Sequence, residues 1–437
     1  MERLMTTMTT TPAGDPTAAL EIAEPRTWRS YVPGAAMVII GLYGLWAFGH
    51  GRTGHGVKAK FTFNWQGGGG IKLPSLTVPA ATTAIVLGAL CVLLGVSRLV
   101  RPRMSRGLRI LTTTAFLVLY LAAFLVWSDA HQTLNLVGML DATVLAAVPL
   151  ILGSLGGVLC ERSGVINVAI EGQFLVGACA AAFTASTTGS LWLGLVMGCL
   201  AGALIGALLA VFANRYRVEQ VVLGVVINLF ATGLTGFIYD RLLAAGNGNN
   251  QPMSFSNIRI PGLADLPLIG HVLFEKNILV YATAVLVAVV QFALFRTKWG
   301  LRTRAVGEHP TAADTVGINV NRTRYINVIL GGVLAGLGGV WLTIGSNISF
   351  NQNMSAGQGF IALAALIFGR WSPVGAMFAA LLFGFAQGLS TTIQPLQTPV
   401  PTEFLTMLPY LATVFAVAGL VGAVRAPAAD GQPYVKE

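Results

Sequence analysis

Charge is what this 437-residue chain has least of: Asp, Glu, Lys and Arg together make up 10% of it, where soluble domains carry about 25%. With hydrophobic residues at 54% of positions, a soluble globular domain is excluded. Cysteine is also scarce. Cys91, Cys160, Cys179 and Cys199 fall in or at the ends of apolar runs, with no Cys-x-x-Cys pair and no histidine cluster nearby. That excludes a disulfide framework and a thiolate metal site, and leaves them as small buried hydrophobes. A cleavable leader is missing too, because the first 30 residues are polar, Thr/Ala/Pro-rich and without an apolar h-region. They read as a disordered cytosolic N-terminus, and the first span as a retained anchor. No Ser/His/Asp, Cys/His or His-x-x-x-His arrangement suggests catalysis in a cytosolic segment. The nearest thing to a phosphate loop, "GRTGHGVK" from Gly51, has Val57 where a Walker A motif needs lysine. The expectation is a chain that is not an enzyme and has no metal or cofactor, driven by a partner or an ion gradient.

What the chain has in quantity is long apolar runs. A transmembrane helix needs roughly 20 mostly apolar residues to cross about 30 Å of hydrocarbon. Such runs occur near 33–49, 78–100, 108–128, 139–158, 166–184, 190–213, 219–239, 277–295, 325–346 and 405–424. Between the last two, 358–392 is split by "GRWSPVG" and reads as a helical hairpin. The prediction is an all-α polytopic transmembrane protein.

The net charge of +10 is distributed as an orientation signal, not as a nucleic-acid surface. With the N-terminus in the cytosol and alternating spans, most Lys and Arg, including Arg98, Arg101, Arg103, Arg106 and Arg109, fall on the cytosolic side. The C-terminus, with a tail at 426–437, is then cytosolic as well. The loop 49–77 dissents, with Arg52, Lys58, Lys60 and Lys72 outside.

"LGGV" at Leu155 to Val158 returns at Leu337 to Val340, and each copy is followed by a Gly-Gln step near a Phe, "GQFLVGACAA" and "GQGFIALAAL". In this topology the two copies face opposite sides. That suggests a ten-helix core of two inverted five-helix repeats, 108–240 and 277–425, with two extra N-terminal transmembrane helices and an external loop at 31–107. In inverted-repeat transporters the substrate path runs between the halves.

In "ERSGVINVAIEGQF", ten helical residues from Glu161 would carry Glu171 roughly 15 Å into the bilayer. A carboxylate there is costly unless paired, protonated or facing water. Asn167 and Phe174 would flank it on one face, and Asn228 lies near the centre of another span. Two readings stand: these groups line a polar substrate path, or Glu171 ties helices together. "SNISFNQNMSAGQGF" gathers Asn347, Asn351, Gln352 and Asn353 at the outer mouth. These amides suit hydroxyls and base edges, or belong to an ordinary polar external loop.

"GLRTRAVGEHPTAADTVGINVNRTRY" sets four arginines, Glu308 and Asp314 around a small-residue run. Pro310 suits a helix start and Gly317 its end, and Glu308 ahead of the start suits the helix dipole. Ala312, Ala313 and Val316 share a face. So short a helix is not stable alone in water and needs something to dock against; flanking arginines would steer an acidic partner to it.

This segment resembles the cytoplasmic coupling segment of ABC importer permeases, in the family of branched-chain amino acid, ribose and nucleoside permeases. "ERSGVINVAIEGQFLVGA" and "NMSAGQGFIALAALIFGRWSPVGAMFAALLFGFAQGL" are most similar to its nucleoside or simple-sugar branch. The resemblance covers 108–425 and omits 1–107. It implies a bacterial plasma-membrane permease subunit, coupling through Gly307, Glu308, Pro310, Ala312, Ala313, Asp314 and Gly317 to a cytosolic ABC ATPase, separate or as a fused double ATPase. It also implies a second permease subunit of different sequence and an extracytoplasmic solute-binding lipoprotein. Nucleosides are the leading solute; a simple sugar or a branched-chain amino acid within the same machine, and a proton-coupled secondary transporter using Glu171, are the alternatives.

Overall fold

The computed structural model describes residues 31–49, 56–65, 73–102, 104–244, 248–251, 253–346, 348–396, 404, 407, 410 and 425–436. The expected N-terminal disorder at 1–30, the span at 405–424 except for three positions, Asn347 and the Gly-rich part of the external loop lie outside the described residues.

In chain order the elements are α1 (Val32–Gly49), β1 (Lys58–Thr62), β2 (Leu76–Pro79), α2 (Ala80–Val100), α3 (Arg106–Ser128), β3 (Thr133–Asn135), α4 (Leu136–Arg162), α5 (Ile170–Thr188), α6 (Leu191–Asn214) and α7 (Gln220–Ile238). There follow β4 (Asn257–Arg259), α8 (Gly270–Phe274), β5 (Glu275–Asn277), α9 (Ile278–Arg296), α10 (Lys298–Glu308), α11 (Pro310–Thr315), α12 (Val320–Val340), α13 (Gln358–Phe368) and α14 (Pro373–Ile393). Among the described residues nine helices are long and apolar enough to cross a membrane, so the chain is a mostly helical, polytopic membrane protein.

Residues 1–58 with 78–130 form one compact unit, and 59–77 with 131–437 a second. In the first, α1 and α2 meet backbone to backbone: a methyl group added at Gly95 would stand 2.7 Å from the amide nitrogen of Val38. Met37, Cys91 and Phe116, one from each helix, fill its centre. The first unit thus holds three helices, because α3 lays Tyr120 against Phe48 of α1, ring centres 5.5 Å apart. The sequence reading had put α3 with the core, drawing the boundary at 107/108.

The second unit is built around α4 and α12, whose apolar windows are each 83% buried against 22–44% for the other seven candidate spans. α6 reaches α12 through a stripe of glycines, Gly198, Gly202 and Gly206, set against Gly332 and Gly336. Four-residue spacing puts the stripe on one helix face and lets the backbones approach closely. Side-chain caps start the helices: Asn135 accepts from Gly138 N, Glu219 from Val221 N and Val222 N, Asn277 from Val280 N, and Asn319 from Arg322 N. Inside α4, Pro149 has no N–H to give the carbonyl of Leu145. The indole N–H of Trp341, in the π-helical turn Trp341–Gly345 that extends α12, donates to that carbonyl instead, at 3.1 Å.

α13 and α14 are the two limbs of the expected hairpin. Their joining turn carries Arg370 and Trp371 at positive φ. Arg162 Nε fastens the turn to the end of α4 by donating to the Trp371 carbonyl at 2.9 Å.

Candidate functional site

α11 is a six-residue helix opened by Pro310 and closed by Gly317 at φ +83°. Its faces differ. Ala313 is buried against Val306, Val320 and Tyr434 of the same chain, whereas Thr311, Ala312 and Thr315 are exposed. Val316 is 75% exposed, more than any other large hydrophobic side chain among the described residues. It lies in the stretch between the candidate spans Ile278–Arg296 and Val320–Gly345. The expected common face of Ala312, Ala313 and Val316 is therefore divided, because Ala313 seats the helix on its own subunit.

The end of the chain forms that seat. Ala429 N donates to the carbonyl of Gly307 at 2.9 Å, Ala428 N to the Glu308 carboxylate at 3.2 Å, and Arg324 Nη1 to the carbonyl of Gln432 at 2.9 Å. Gly307 itself packs against the backbone at the end of α4, where an added methyl would collide with the carbonyl of Arg162. Glu308 ends α10 and bonds the tail instead of standing free at the start of α11. Asp314 lies 3.9 Å from Lys436. Asp430 faces Glu161 and Arg324, and burial pushes its carboxyl up to about 7.

Glu171 does not continue a helix from Glu161. α4 stops at Arg162, residues 163–169 are non-helical, and α5 begins at Ile170, so the expected 15 Å of helical rise is not realised. Glu171 is 6% exposed and accepts from Ser355 Oγ at 2.5 Å, Gly357 N at 2.8 Å and Gly359 N at 2.7 Å. The two Gly-Gln steps therefore meet, with the carboxylate between the amino ends of α5 and α13, where both dipoles favour it. Gly359 has no room for a side chain, since a methyl there would strike the Glu171 backbone.

The neighbouring amides hold the same joint. Asn228 Oδ1 accepts from Gly172 N at 2.8 Å while its Nδ2 donates to the Val168 carbonyl at 2.9 Å. Asn167 Nδ2 donates to Gln173 Oε1 at 3.1 Å. Phe174 is fully buried, its ring against Gly153 and Gly338. Asn351 is exposed, and Gln352 donates to Asp240 at 2.7 Å.

A cavity of about 510 Å³ lies elsewhere in this unit, lined by residues that include Trp65, Asp141, Pro149, His271, Lys276, Trp341 and Gln358. None of the six residues expected on the substrate path lines it. About 30 Å of helical rise along α4 separates Asp141 from Arg162, so cavity and α11 lie at opposite ends of the unit. Asp141 and Lys276 are both buried and form an ion pair. Burial pushes the Lys276 ammonium down to about 8, and the abutting carboxylate favours its charged form. The sequence reading passed over this pair, although a lone Asp in an apolar run, "VGMLDATVLAAV" from Val137, is the signal of an intramembrane charge with a partner.

A polytopic helical unit with a short exposed helix at one end and a cavity at the other has the form of a transport permease. The family model "Branched-chain amino acid transport system / permease component" matches residues 139–424, and the chain belongs to that family, as a membrane permease. It is 42% identical over 320 residues to the guanosine ABC transporter permease protein NupQ of Bacillus subtilis (strain 168), covering 70% of this chain and 99% of that one. To the nucleoside ABC transporter permease protein NupC of Lactococcus lactis subsp. cremoris (strain MG1363) it is 39% identical over 300 residues, 66% and 94% of the two chains. To the putative glucose ABC transporter permease protein TsgC13 of Haloferax volcanii it is 34% identical over 297 residues, 63% and 89%. No solved structure matches the chain.

Proposed function

We propose that this chain is a permease subunit of an ATP-binding-cassette importer for nucleosides in the bacterial plasma membrane, with both termini in the cytosol. ATP is hydrolysed by a cytosolic ATPase, in separate subunits or as a fused pair, into which the exposed face of α11 seats. A second, different permease subunit completes the path, and an extracytoplasmic lipoprotein delivers the solute. The observation that carries the coupling reading is Val316, an exposed valine on a helix too short to stand alone. Pro310 and Gly317 bound that helix, Ala312 and Val316 form its contact face, and Gly307, Glu308, Ala313 and Asp314 fix it to the rest of the chain. The two named relatives that carry guanosine and nucleosides support the solute class.

The core is two inverted repeats whose Gly-Gln steps meet at Glu171. Asn167, Glu171, Phe174 and Asn228 form the joint on which the halves rock during transport, and Asn351 and Gln352 lie at the outer mouth. A simple sugar is the second solute reading, favoured by the 34% identity to the glucose permease relative.

Uptake by the whole complex in proteoliposomes tests the reading. Guanosine import that requires ATP and persists when the proton gradient is dissipated is expected. Import that runs without ATP and stops with the gradient would make the chain a secondary transporter.

A further inference from the structure

Trp65 stands ahead of the family-matched core, in the second unit, on the segment that follows β1. β1 runs parallel to β3 with Lys60 opposite Thr133 and Thr62 opposite Asn135, which brings Trp65 to the cavity beside the start of α4. Its indole stacks on the imidazole of His271, ring centres 5.3 Å apart and planes 20° from parallel. The Lys276 ammonium also lies over the Trp65 ring, 5.9 Å from its centre, and Trp341, likewise in the lining, is pinned by its bond to the Leu145 carbonyl.

Three polar atoms in this lining are buried with no hydrogen-bond partner among the described residues: Gln358 Oε1, His271 Nε2 and Glu275 Oε2. A buried polar atom without a partner is destabilising, and a ligand donor would relieve it. Nδ1 of His271 lies 2.8 Å from the Glu275 carboxylate. A carboxylate oxygen that close, although it makes no hydrogen bond, favours the proton on Nδ1 over Nε2 and so leaves Nε2 as an acceptor. All three unmet atoms thus call for donors such as ring or exocyclic N–H groups. Charge narrows the class further. Asp141 cancels Lys276, and Glu275 faces His271, so no cation is left over for a phosphate. The volume, about 510 Å³, falls in the range of roughly 300–1,000 Å³ usual for small-molecule sites.

We propose that this cavity is a solute subsite within the subunit, holding a neutral, flat heterocycle with N–H donors between Trp65 and Trp341, with Gln358 and His271 as its acceptors. It rests on the nucleoside reading and adds to it the place where the base is held and the part that the segment outside the family match plays in holding it.

Photolabelling of the assembled importer in membranes with azidoguanosine tests it. Label is expected on peptides carrying Trp65, His271 or Trp341, displaced by guanosine but not by ribose or guanosine monophosphate. An aromatic contact and a base hydrogen bond are each worth roughly 1 kcal/mol, or about fivefold in affinity. Trp65→Ala and Gln358→Leu should each lower displaceable labelling by about that factor, and Gln358→Leu serves if the first variant fails to assemble. Guanosine-displaceable label elsewhere in the complex, unchanged in both variants, would overturn the subsite and leave the nucleoside reading standing. A wild-type complex that neither imports guanosine nor takes displaceable label would remove that reading, and the subsite with it.

Discussion

Glu171 shows how a single carboxylate can hold the starts of two helices, α5 and α13, together. Its three donors come from the turn before α13 and the start of that helix, and hydrogen bonds to a charged group are worth about 1.5–3 kcal/mol each. Glu171→Gln keeps the shape, loses the charge and turns an amide N–H toward donors. Thermal unfolding in detergent should show a loss of about 1.5–3 kcal/mol, with slower uptake; an unchanged midpoint and rate would contradict the joint. Asp430 gives a pH-dependent contact at the C-terminal end of α4, beside Glu161. Its carboxyl is raised from an unfolded value near 4 to about 7 by burial, with Arg324 opposing. The protonated form is therefore the one the folded tail favours: docking is strongest below about pH 4 and weakens as pH rises to about 7, with the facing Glu161 carboxyl sharing the titration. Asp430→Asn should keep the tail resistant to limited proteolysis at pH 8 and flatten its dependence on pH. Identical profiles for variant and wild type would count against this. The importance of Glu171 was legible in the sequence as a costly charge in an apolar run. Its partners were not, because Ser355, Gly357 and Gly359 are some 180 residues away and nothing local marks them as donors.

α11 shows which parts of a helix can be read locally. Pro310 and Gly317 marked its ends, since each acts through its own backbone geometry. The seat could not be read, because Tyr434 comes from the far end of the chain. Ala313→Trp should consequently unsettle α11 itself, lowering thermal stability by a few kcal/mol, as overpacking does, along with ATPase co-purification. Ala312→Trp, on the exposed face, should leave stability within about 0.5 kcal/mol and still reduce ATPase co-purification. Equal melting curves for the two variants would show that both side chains face outward. The break between α4 and α5 was missed for a related reason: residues 163–169 look as apolar as a helix, and the side chains that clamp them come from α7, Gln220 on Ile166 N and Asn228 on Val168 and Gly172.

At the scale of the whole molecule, apolar runs were long enough to reveal nearly every span, and the arginine-rich loops indicated an orientation. The division into units was less accessible, since α3 is as apolar as any core span and its grouping with α1 and α2 depends on side-chain fit. The cavity was invisible for the same reason, its lining being drawn from β1's continuation, α4, α8, β5, α12 and α13. The account turns on a cytosolic face that a separate ATPase grips while the far end holds solute. The native cysteines are buried or only partly exposed, so Val316→Cys would be the one readily reached thiol among the described residues. In the assembled importer a short bifunctional thiol–amine reagent should join it to the ATPase, in a yield that changes when ATP is bound. An intact, transporting complex in which that cysteine reacts only with its own chain or with solvent would contradict the account.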